Sequence, residues 1–221
     1  MCFSVKIERN FNVLSKLTGY PIDNGYLEKV TKLAKSNPKA FKLPDGDDRI
    51  YPSTFSPIVV QTSRGPLITA MRYRLTPSFS EEVDYKSTDR KTGRKKILPT
   101  YNARLDSLTT RQAWKNIYQS NHAFVPVKAF YEFVERDQKS VQVEFKDERF
   151  DIIWASALWD KWESPELEIP IYSFAIVTTE PPKEVLSAGH DRCPIFHKSV
   201  EKWDSFFEAD EFRFKYQLIS S

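Results

Sequence analysis

The residue best placed for chemistry is Cys2, which directly follows Met1. Methionine aminopeptidase removes an initiator methionine when the next side chain is small, and cysteine is small enough. The chain then starts with a free α-amine, pKa roughly 7.7–8.0, beside a thiol, pKa roughly 8.5. Both lie near enough to neutrality for one neighbouring base to activate them. An aldehyde meeting this pair forms a Schiff base with the amine, and the thiol then adds to the imine carbon and closes a thiazolidine ring. A thiol acting alone would instead suggest a Cys–His hydrolase. The plain alternative is a small buried hydrophobe, the usual fate of a free cysteine, although chain termini tend to lie at the surface.

Partners for such a thiol are few. The sequence holds His122, His190 and His197 and one further cysteine, Cys193. His190, Cys193 and His197 resemble metal ligands in type, but Pro194 intervenes and a closed four-ligand zinc site lacks its remaining ligands, so no metal is expected. Glu132 lies in VKAFYEFVE, where alternation puts it on one face with Phe130 and Val134. Aromatic neighbours desolvate a carboxylate and suit it to general acid–base work; a salt-bridged strand-edge glutamate is the other reading. Asn102 and Arg104, in TYNARLD, by themselves read as a capping segment.

The frame for these groups is a globular one. The 221 residues are 40% hydrophobic and 29% charged, enough to bury a core. Aromatic content of 14% is rich and suits base stacking as well as cores. The six glycines form neither a G-x-G-x-x-G nor a P-loop pattern, which argues against a nucleotide-phosphate cradle and leaves no cofactor implied. A net charge of +3 permits a polyanionic partner without demanding one. Two cysteines make no disulfide framework. With no apolar leader and no long apolar run, a cytoplasmic protein without a membrane segment is expected.

Periodicity gives the elements. A short strand is expected in MCFSVKIE and a helix in NGYLEKVTKLAKS, with Leu27, Val30, Leu33 and Ala34 inward. A long loop spans residues 37–57, and SPIVVQTS and PLITAMRYRL read as strands joined by an Arg-Gly connection. Residues 81–96 read as an exposed loop whose basic end (Arg90, Lys91, Arg94, Lys95, Lys96) either touches phosphates or is simply solvated. RLDSLTTRQAWKNIYQ predicts a helix with Leu108, Ala113, Trp114 and Ile117 inward. HAFVPVKAFYEFVE and SVQVEFK predict a hairpin turning at Arg136–Lys139, followed by strands in FDIIWASALW and IYSFAIVTT. PPKEVLSA and VEKWDSFFEA predict short helices, the first ended by Gly189. With no repeat or linker, residues 1–221 are expected to form one α+β domain.

Taken in order, MC, YNAR, VPVKAFYEF, ASALWDKW, FAIVTTEPP and GHDRCPIF resemble the SRAP family (SOS response-associated peptidase) across nearly the whole chain. Its members begin with Cys2 and carry N-A-R, G-F-Y-E-W, G-L-W, a strand ending in T-T, and H-x-R-M-P. The resemblance implies a single domain of bent, mainly antiparallel β-sheets with flanking short helices. It also implies a monomer that crosslinks covalently to abasic sites in single-stranded DNA, without metal or cofactor.

Carried over by motif, Cys2 is the nucleophile, Glu132 shuttles protons and serves self-removal of Met1, His190 assists sugar ring opening, and Asn102 holds the Cys2 terminus or the sugar hydroxyls. Arg104 and Arg192 clamp phosphates, with Arg72 and Tyr73 also on the DNA side. Several positions depart from the pattern. Phe3 and Ser4 replace the usual G-R after M-C, Tyr73 stands for the tryptophan of W-G-L-I-P, and Cys193 stands for the methionine of H-x-R-M-P. Ala129 and Phe133 replace the residues flanking F-Y-E. The rival readings are a Cys–His peptidase acting on other proteins and a non-catalytic single-strand-binding module.

Overall fold

Runs of β-branched, aromatic and small apolar residues dominate the middle of the chain, and they form strands covered on both faces. The computed structural model describes residues 4–89, 91–136 and 138–219. The chain opens with β1 (Ser4–Ile7), α1 (Phe11–Thr18) and α2 (Asn24–Ser36). There follow β2 (Arg49–Ile50), β3 (Phe55–Thr62), β4 (Gly65–Tyr73), β5 (Lys86–Thr88), β6 (Lys95–Ile97) and β7 (Asn102–Arg104). The longest strand is β8 (His122–Arg136), which precedes β9 (Lys139–Lys146), β10 (Ile153–Trp162) and β11 (Ile171–Thr179). The chain ends through α3 (Lys183–Ser187), β12 (Cys193–Pro194), β13 (Phe196–His197) and β14 (Lys215–Ile219).

Five strands close into a ring: β10 pairs with β11, β11 with β4, β4 with β3, β3 with β8, and β8 back with β10. Only β11–β4 is parallel in that ring. Alternation along the strands sorts their side chains into two cores. Ile58, Val60, Ala123, Val125, Ala155, Ala157, Phe174 and Ile176 share one buried cluster, which runs on to β1, β9 and α3. Val59, Phe124, Trp154, Leu158, Ala175 and Val177 share the other, together with Leu14 of α1 and Trp114 and Ile117. A third cluster lies under α2, where Tyr26, Val30 and Ala34 meet Phe41, Phe55 and Trp162.

Beyond the ring, the second half of β8 continues outward between β1 and β9. Ser4 pairs with Tyr131 and Val5 with Phe130 on one side, and Glu132 pairs with Val143 on the other. This mainly antiparallel α+β architecture with short helices is the expected class. The helix at residues 24–36, the β3–β4 pair, the turn closing at Arg136↔Lys139 and the strands β10 and β11 follow the sequence reading.

Other expectations are corrected. Residues 104–119 form a short 3-10 helix at Leu105–Ser107 and then successive turns, not one helix, although Leu108, Trp114 and Ile117 do face inward. Residues 200–209 likewise form turns around the buried Phe206. The polar stretch at 81–96 contains most of a small hairpin, β5–β6, although Lys91, Lys95 and Lys96 remain exposed. Arg90, at its basic end, lies outside the described residues. The helix α1 and the edge strand β14 carried no sequence expectation. Among the described residues no helix is long and apolar enough to cross a membrane.

Candidate active site

Glu132 and His190 reach each other from separate parts of the chain. Glu132 is set by β8, where pleat alternation turns Phe130, Glu132 and Val134 to the buried side and leaves Phe133 exposed. His190 is set by the end of α3. Gly189, at φ 100°, donates to the Leu186 carbonyl while His190 N–H donates to that of Val185, the paired bonds of a Schellman motif. The glycine backs onto Val134, 3.5 Å from where a Cβ would sit, so the helix end is seated on the strand that carries Glu132.

The two side chains meet with His190 Nε2 3.1 Å from Glu132 Oε2, at 7% and 1% exposure. The other ring nitrogen, Nδ1, lies 2.9 Å from the Arg192 carbonyl, which fixes the ring plane. With Nδ1–H donated to that carbonyl, Nε2 faces Oε2 at hydrogen-bond distance, a geometry across which a proton can pass. Burial keeps competing water away and strengthens the interaction. Cys193 is buried nearby, and its thiol is pushed well up by burial and by the charge of Glu132. A neutral thiol there is a packing group and not a nucleophile.

The end of β11 gathers the remaining groups. Thr178 pairs in parallel with Arg104 of β7, while Thr179 pairs with Cys193 of β12. Two strand spacings, about 10 Å, therefore separate the N-A-R segment from the H-x-R segment. Asn102 is buried at the start of β7, level with Ile176. Arg104 is half exposed, and Arg192 is nearly covered. Both bond Asp106, at 2.7 Å from Arg104 and 2.8 Å from Arg192. The sequence reading missed Asp106, though a carboxylate two residues after Arg104 was a usable sign of an arginine clamp.

Arg72 and Tyr73 stand apart from this group. Arg72 is fully buried, its guanidinium bonded to Asp84 at 2.6 Å, to Ser53 Oγ and to the carbonyls of Ala40 and Arg74. Burial lowers its pKa, and Asp84 counters that effect. Tyr73 is fully buried too, stacked on Phe174 at 5.1 Å between centroids. The expectation of DNA contact at these two positions does not fit their burial; they hold the base of the β3–β4 pair. Cys2, the expected nucleophile, lies outside the described residues.

Another arginine lies one strand beyond β1, which pairs with the Glu132 strand. Arg49 of β2 donates from Nε and Nη2 to Ser4 Oγ, at 2.8 and 2.7 Å, and from Nη1 to Gln142 at 3.0 Å. Its guanidinium lies over the Tyr131 ring at 3.7 Å. The Tyr131 hydroxyl is pushed up to about 12 by burial and by the charge of Glu144, against the opposing effect of Arg49. Among the described residues no group of three or more His, Cys, Asp or Glu side chains is placed to hold a metal ion.

Comparison with known proteins gives the chain a family. The chain is 26% identical over 158 residues to the abasic site processing protein YoqW of Bacillus subtilis, covering 69% of this chain and 65% of that protein. It is 24% identical over 201 residues to the abasic site processing protein HMCES of Xenopus tropicalis, covering 75% of this chain and 57% of that one. The chain thus spans less than two thirds of the length of these relatives. A crystal structure of a Bordetella bronchiseptica protein superposes with a TM-score of 0.67 at 13% identity over 100% of both chains, which speaks for the fold alone. The family described as SOS response associated peptidase (SRAP) matches residues 20–218, and the chain belongs to that family.

Proposed function

We propose that this chain processes abasic sites in single-stranded DNA by covalent capture through Cys2, acting as one domain over residues 1–221 and as an intracellular monomer. Met1 is first removed, with Glu132 taking part. The α-amine of Cys2 then attacks the C1′ aldehyde of the ring-opened deoxyribose, and the carbinolamine loses water to give an imine. The thiol adds across the imine carbon, its proton passes to nitrogen, and a thiazolidine closes. The balance is aldehyde plus aminothiol giving thiazolidine plus one water.

The observation that carries this reading is the buried Glu132–His190 pair, 3.1 Å apart, whose glutamate stands on the strand that pairs with β1. Cys2 precedes Ser4 by two residues, and Ser4 is paired with Tyr131, the neighbour of Glu132. Each reaction step moves a proton at nitrogen, oxygen or sulfur, and a carboxylate–imidazole pair can both accept and return it. Arg104 and Arg192, held by Asp106, supply cationic groups for flanking phosphates. The relatives YoqW and HMCES are named as abasic site processing proteins, which agrees with the reading.

The test mixes the protein, or Cys2→Ala, with a single-stranded oligonucleotide bearing one abasic site and reads intact mass and a denaturing gel. A heat-stable adduct is expected for wild type only, at the mass of the chain lacking Met1 plus the oligonucleotide less one water. Failure to crosslink on a chain that has lost Met1 overturns the covalent reading. Acetylating the α-amine while sparing the thiol abolishes capture on this reading, whereas a Cys–His peptidase would keep its activity.

A further inference from the structure

Arg49 is a charged group that the site so far leaves without a task. Among the described residues its guanidinium forms no ion pair, and its three side-chain hydrogen bonds end on the neutral groups Ser4 and Gln142. A guanidinium has five N–H donors, so two remain for a further acceptor. The fork is held over Tyr131 at 3.7 Å, with the Tyr51 ring at 5.2 Å, and its bonds to Ser4 and Gln142 fix its direction in advance. Asp48, the adjacent acid, pairs with Arg9 at 2.8 Å, and Asp47 accepts from the Arg49 backbone N–H rather than from the guanidinium. The Ser4 hydroxyl at the start of β1 is neutral, and the guanidinium that reaches it comes from β2.

The surroundings point to the kind of ligand. Arg49 and Tyr51 border a cavity of about 600 Å³ that Lys35 and Lys42 also line, against one carboxylate, Asp45. Tyr51 is an exposed aromatic at its edge. Cations spaced along a groove with an exposed ring fit a single nucleic-acid strand, the cations taking phosphodiesters and the ring taking a base. We propose that Arg49 is a phosphodiester-binding residue, anchoring the strand beside the lesion while its bonds to Ser4 hold the start of β1. The proposal rests on the DNA reading above but not on the covalent step.

The experiment measures binding of a labelled, intact oligothymidylate by anisotropy across roughly 50–200 mM salt. Arg49→Gln is expected to weaken binding and to reduce the slope of log affinity against log salt by about 0.7, the share of one phosphate on a single strand. Arg49→Lys keeps the charge and loses the fork, so its slope stays at the wild-type value while its affinity falls. Should Arg49→Gln fail to fold, Arg49→Lys alone decides: unchanged affinity overturns the proposal. A folded Arg49→Gln with lowered thermal stability and an unchanged salt slope also overturns it, because a merely structural arginine moves only the first. The abasic crosslinking assay runs in parallel. Loss of slope without crosslinking in wild type keeps the phosphate site and rejects the covalent reading, and normal crosslinking with an unchanged slope does the reverse.

Discussion

At Glu132 a carboxylate occupies a strand position whose inward neighbours, Phe130 and Val134, are apolar and buried. Keeping an acid there costs desolvation free energy that a phenylalanine or valine would not, and the His190 ring offsets it. Glu132→Gln preserves volume and one hydrogen bond but cannot take up a proton. The rate of adduct formation under single-turnover conditions is expected to fall by about 10²–10⁴-fold, the usual share of general acid–base catalysis. Affinity for intact single-stranded DNA is expected to stay at the wild-type value, because the carboxylate is buried against His190. If the pair works as a unit, adding His190→Gln lowers the rate little further. A rate that survives Glu132→Gln would reduce the glutamate to a packing role. Arg74 shows the opposite kind of residue-level tension. It adopts φ 95°, a region suited to glycine, where the family's W-G-L-I-P pattern has one, and its ion pair with Asp84 at 3.2 Å helps hold it there.

Among the elements, the end of α3 has the most exacting geometry, because one glycine aims His190. Gly189→Ala puts a β-carbon on a residue at φ 100°, where L side chains are strained by about 1–2 kcal/mol. The nearest atom to that carbon is Val134 Cβ at 3.5 Å, an ordinary contact, so the cost is in the backbone and not in a clash. Urea unfolding should show a loss of that size, and crosslinking should slow because relaxing the strain shifts the His190 ring from Glu132; an unchanged rate would mean the turn does not aim the ring. This helix end was legible in the sequence, as were the long strands, because a Gly stop and two-residue alternation are local signals. The 104–119 segment was not. Its apolar spacing imitates a helix, but Ser107 and Thr110 hydroxyls bond the Arg104 and Ser107 carbonyls and favour separate turns. The roles of Arg72 and Tyr73 were hidden for another reason. A motif fixes which residues stand in line, whereas burial is decided by Asp84 and Phe174, distant in sequence and brought in by the fold. Arg49 lay in a stretch read as loop and escaped notice until β2 placed it beside Ser4.

For the whole molecule, acid is the condition that separates stabilising ionic ties from decorative ones. Most surface pairs here are exposed and contribute little, but two carboxylates tie segments together at the core's edge. Asp147 bonds Arg149 and the backbone N–H of Arg213, and the Arg149 hydrogen bond holds its carboxyl far below the ordinary 3.8. Burial alone would raise Asp84, but the hydrogen bond and charge of Arg72, with help from Arg74, hold it below 3.8 as well. A carboxyl depressed in the folded state contributes stability that is complete above its unfolded pKa and is lost as pH falls through the folded one. The urea midpoint should therefore stay level from neutrality to about pH 5 and decline below about pH 4. Asp84→Asn leaves Arg72 buried and unpaired, so it should cost about 3–5 kcal/mol at pH 7 and flatten the acid decline. Equal loss of stability at every pH would assign Asp84 a role in shape alone. The site follows the same logic, since Arg72 and Asp84 fix the base of β4, β4 fixes β11, and β11 carries the strand ends on which Arg104 and Cys193 are hung. Acid that loosens this tie should slow crosslinking at pH values where the chain is still folded, and parallel pH profiles of rate and of unfolding would reveal the offset.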